Sequence, residues 1–136
     1  MYQGGDLTKN IANELGEYIK AKMGRLNIIK INSNNKINHE MPLLIVCVVV
    51  SRLGTDAAMA VKDIPAPKHA ALVMFHHIEA HALPIQPSKE VLTKPQFKQF
   101  GAIYDMAFSR EDGIYSCTMN EESARSITGF IMHNLY

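Results

Sequence analysis

The sequence predicts an α+β domain of two layers, a mostly antiparallel sheet with N- and C-terminal helices packed on it. Three observations carry this: an amphipathic helical pattern over residues 6–23, a turn flanked by alternating apolar residues over 102–119, and a second helical stripe running to the C-terminus. The 136 residues are the usual length of one domain, so residues 1–136 are expected to form a single unit. A chain of that size buries roughly two-thirds of its unfolded surface.

Leu7, Ile11, Leu15, Tyr18 and Ile19 recur at helical spacing, with Asp6 or Thr8 placed to cap and Gly24 to stop the helix. Strands at 26–32 and 36–40 are expected to form a hairpin, because Ser33-Asn34-Asn35 is turn chemistry. The run "LLIVCVVV" from Leu43 reads as a strand buried on both faces, since it is β-branched and does not alternate. Thr55 is placed to cap a short helix through Val61, and prolines 65 and 67 mark a loop.

The stretch "AALVMFHHIEAHAL", residues 70–83, fits helix or strand. Helix is preferred, because Ala and Met favour it and neither face of the strand is purely apolar. Prolines 84, 87 and 95 then interrupt a long connection, with a helical turn from Ser88. In "AIYDMAFSREDGIYSCTM", Tyr104, Met106 and Phe108 alternate with polar or small residues, as do Tyr115, Cys117 and Met119 beyond Asp112-Gly113. That pattern predicts an antiparallel hairpin turning at Ser109 to Gly113. Asn120 is expected to cap the last helix, whose stripe is Ala124, Ile127, Ile131 and Leu135, with Phe130 looking outward. In element order alone this layout resembles roadblock or profilin-like folds; no motif carries a family.

Composition excludes several functions. The net charge of +1 and the scattered lysines argue against nucleic-acid binding. The apolar run Leu43 to Val50 is far short of the roughly 20 residues of a membrane span. The opening "MYQGGDLTKN" lacks a secretory pattern, and Cys47 and Cys117 in apolar contexts read as free thiols, so a cytoplasmic location is expected. "IYSCTMN" has no Gly-x-Ser-x-Gly elbow, and Cys117 reads as core rather than nucleophile. Gly4-Gly5 before the first helix belongs to no phosphate-binding motif.

The remaining chemical signal is "HHIEAH", residues 76–81. On a strand His77, Glu79 and His81 face one way, and on a helix His77 and His81 are neighbours. Two imidazoles and a carboxylate are the donor set of open zinc and non-haem iron sites, and His39, Glu40, His69 or His133 could add a ligand. The spacing matches no zinc-protease motif, so ordinary scaffold histidines are preferred. The expectation is a small cytoplasmic non-catalytic interaction or regulatory protein without cofactor, binding a protein partner or itself as a homodimer. The alternative is a zinc- or iron-dependent hydrolase or oxygenase using His77, Glu79 and His81.

Overall fold

The computed structural model describes residues 6–23, 42–49, 52–61, 70–78, 87–98, 100–109 and 111–135. Its elements run α1 (Asp6–Met23), β1 (Leu43–Val49), α2 (Leu53–Val61), β2 (Ala70–His77), α3 (Ser88–Val91), α4 (Pro95–Lys98), β3 (Ala102–Phe108) and α5 (Thr118–Leu135). The expected hairpin at 26–32 and 36–40 lies outside the described residues.

Among the described residues the sheet is three-stranded, in the order β1-β2-β3, and both pairings are parallel. The expected antiparallel two-layer α+β fold is therefore wrong. The physical reason is legible in burial. Residues 43–48 of β1 and 70–76 of β2 are all buried, so both faces of these strands are covered. Near-continuous apolar runs of that kind are what a parallel sheet between two helical layers requires. One layer joins α1 and α5 to Leu44, Val46, Val48, Val73, Phe75, Met106 and Phe108. The other sets Ala57 and Val61 of α2, with Leu92, Phe97 and Phe100, on Leu43, Ile45, Cys47, Leu72 and Met74. Both crossovers, β1 to β2 and β2 to β3, step in one direction across the sheet, and both carry their helices over the same face. That shared face is the consequence of giving both crossovers one hand. The resemblance in element order to roadblock or profilin-like folds goes with the antiparallel sheet.

Locally much of the reading stands. The helix over 6–23 and the doubly buried strand from Leu43 are present, and Ser88 does open a helical turn. α2 starts at Leu53, two residues before the expected cap. Residues 70–77 form a strand, not the preferred helix.

The predicted hairpin is half correct. Ser109 and Gly113 exchange both backbone hydrogen bonds at 2.9 Å, and Gly113 takes φ 65°. But β3 pairs with β2, and no strand follows the turn before α5 begins at Thr118. The side chain of Asn120 replaces that strand. It lies inside the first turn of α5, fully buried, rather than capping it. It accepts from Ala107 N at 2.8 Å and donates to the carbonyls of Ala107 at 2.9 Å and Tyr115 at 2.6 Å. Phe130 does not look outward: it is half-buried, packs on the core and meets Tyr104 edge-on at 6.4 Å.

Candidate functional site: a buried serine, histidine and aspartate

The three parallel strands end at one edge of the sheet, the edge where α/β folds gather their ligands. Successive strand residues face opposite sides, so His76 and His77 part company there. His77 is exposed and stacks on Phe108 with ring centroids 5.0 Å apart. His76, 7% exposed, turns to the face of α2 and α3, where Asp105 of β3 and Ser88 of α3 meet it.

Asp105 is the centre of this cluster. Its Oδ1 lies 2.7 Å from His76 Nε2 and also accepts the Ser88 hydroxyl, while Oδ2 accepts the Ser88 backbone N–H at 2.9 Å. Burial works against the charge on Asp105, but hydrogen bonds from His76 and Ser88 and the adjoining imidazole outweigh it and hold the carboxyl below its ordinary value. The group is therefore an ionised carboxylate at neutral pH. A carboxylate only accepts, so the proton between it and His76 sits on Nε2.

That assignment decides what the cluster can do. In a serine–histidine–aspartate relay the imidazole accepts the serine proton on one nitrogen and donates to the carboxylate from the other. Here one nitrogen faces both groups: Nε2 is 3.5 Å from Ser88 Oγ and 2.7 Å from Asp105. Already a donor, it cannot receive the serine proton. Ser88, 0% exposed, gives its hydroxyl hydrogen to Asp105, a weak base with its pKa lowered. The three groups have the composition of a catalytic triad but not its connectivity. Their hydrogen bonds clamp the start of α3 to β3 through two donors of Ser88, and tie β2 to the same carboxylate through His76.

Of the three residues predicted to hold a metal, only His77 is described, at the end of β2; Glu79 and His81 lie outside the described residues, as do the further candidates His39, Glu40 and His69. His133 is exposed on α5. Among the described residues no three His, Cys, Asp or Glu side chains are grouped to hold a metal ion. Cys117 is half-buried, its Sγ 3.5 Å from Asn120 N. Burial, followed by the nearby Asp56, raises the Cys47 thiol to about 12, which makes it inert.

Sequence reasoning missed His76, Ser88 and Asp105 as a group. The available signal was Asp105 itself, a charge between Tyr104 and Met106 in a strand. Once that strand is covered on both faces, the charge demands buried donors. Among the described residues no helix is long and apolar enough to cross a membrane. Comparison with family models, with curated proteins and with solved structures found no match.

Proposed function

We propose that this chain is a small cytoplasmic interaction or regulatory domain that works by binding a protein partner or a second copy of itself, not nucleic acid, and without catalysis. The observation that carries the reading is the shared Nε2 of His76, which denies Ser88 a base. The near-neutral charge, and two cysteines that are both free thiols, support the partner class and the compartment. A serine-reactive fluorophosphonate tests it by intact mass. The native protein is expected to take up no adduct. An adduct on Ser88 that disappears in His76→Ala overturns the proposal.

A second reading keeps a metal-dependent hydrolase or oxygenase. One observation favours it: Nε2 is the ring nitrogen of His76 that Asp105 engages, so Asp105 does not occupy Nδ1, and His76 directly precedes His77 in the chain. Elemental analysis of untagged protein separates the two. Stoichiometric zinc or iron selects the metal reading, and its absence the binding reading.

A further inference from the structure

β3 is an edge strand of the described sheet. The carbonyl of Phe108 accepts from Ile78 N at 3.2 Å, so the even-numbered peptide groups of β3 face β2. By alternation those of Ile103, Asp105, Ala107 and Ser109 face away from it. A row of outward N–H and C=O groups is a template for another strand. From the Asp105 carbonyl onward this row is occupied. The Asp105 carbonyl accepts from Ser123 Oγ at 2.5 Å, and Asn120 takes both the N–H and the C=O of Ala107. Ser109 exchanges both of its groups with Gly113.

We propose that α5 guards this edge: Asn120 and Ser123 stand in for a fourth strand, and removing them opens β3 to pairing with β3 of a second copy. An amide side chain presents an acceptor and a donor on one plane, as a peptide group does, so Asn120 matches Ala107 as a neighbouring strand would. The occupant follows from the segment itself. "AIYDMAF" carries one charge, no proline and no glycine, and three of its seven residues, Ile103, Tyr104 and Phe108, favour strands, a composition that permits pairing with its own copy.

The test compares Asn120→Ala and Ser123→Ala with the wild type and with Ile127→Val. The last trims a fully buried core residue of α5 and leaves the edge covered. Sedimentation equilibrium reads association, and hydrogen exchange reads the amide of Ala107. Asn120→Ala is expected to associate at about tenfold lower protein concentration than Ile127→Val, a difference of about 1.4 kcal/mol. The Ala107 amide should be protected in the associated species. If Asn120→Ala does not fold, Ser123→Ala, which uncovers only the Asp105 carbonyl, is read in the same way for a smaller shift in the same direction. Association no stronger than that of Ile127→Val, or association with the Ala107 amide exchanging freely, overturns the proposal.

Discussion

Replacing Asp105 by alanine removes the one acceptor that three donors share: His76 Nε2, the Ser88 hydroxyl and the Ser88 backbone N–H. Hydrogen bonds to a charged group contribute about 1.5–3 kcal/mol each, but three on one carboxylate are not additive. The side chains of His76 and Asp105 retain 8% and 13% of their exposure, so water recovers little of the loss. Breaking one side of such a buried pair costs about 3–5 kcal/mol. With a urea slope of about 2 kcal/mol/M for a domain of this size, the unfolding midpoint of Asp105→Ala should fall by about 2 M.

The pH dependence supplies an internal control. A carboxyl whose folded pKa is lowered binds its proton more readily in the unfolded chain, so its contribution is complete above the unfolded value of about 3.9. It is lost as pH falls through the folded value. The gap between wild type and Asp105→Ala should therefore narrow as pH falls through the folded value of Asp105. A variant within about 1 kcal/mol of wild type at neutral pH, or a gap that fails to narrow below the unfolded value of about 3.9, refutes the reasoning.

Other expectations follow from single contacts. Asn120→Ala leaves the N–H and C=O of Ala107 and the carbonyl of Tyr115 without its side chain, and should cost about 3 kcal/mol in urea unfolding. Gly113→Ala meets a positive φ of 65° and drives its Cβ into Glu14 Oε1, which accepts from Ile114 N at 2.6 Å. A loss of about 2 kcal/mol is expected, part of it recovered in the Glu14→Ala background; a purely additive double-mutant cycle would show that the carboxylate is not the obstacle. Tyr18, raised to about 12 by burial and then by its hydrogen bond to Glu121, should ionise well above an ordinary tyrosine in a spectrophotometric titration and return towards the ordinary value in Glu121→Gln. His77→Ala removes an exposed ring and should shift stability by less than about 1 kcal/mol; a loss of several, restored by zinc, favours the metal reading.

What the sequence discloses here depends on how local the determining physics is. α1 is legible because one turn of helix answers to the next, and Leu15 and Ile19 reach the core as their spacing implies. β1 is legible too, as a strand covered on both faces. That burial already speaks for a parallel sheet, yet the turn at Ser109 to Gly113 invited an antiparallel pairing. The turn exists, but its second strand does not, because Asn120 takes the positions on Ala107 that such a strand would use. No local pattern announces a side chain that substitutes for a strand. β2 was obscured for a related reason: His76 spoils the apolar face of the strand until Asp105 and Ser88, 29 and 12 residues away, are known to receive it. The same distances hid the site, whose members share neither an element nor a motif. The histidine-rich hexapeptide drew attention to the right edge of the sheet, but the member that enters the described cluster is His76, not His77.

Whether Ser88 has a base turns on which nitrogen of His76 carries the proton. Long-range proton–nitrogen correlation in ¹⁵N-labelled protein near neutral pH reads this directly. The predicted result is a protonated Nε2, with its signal perturbed in Asp105→Ala. A protonated Nδ1 with Nε2 free to accept from Ser88 would contradict the account, because it would restore to the serine the base that this geometry withholds.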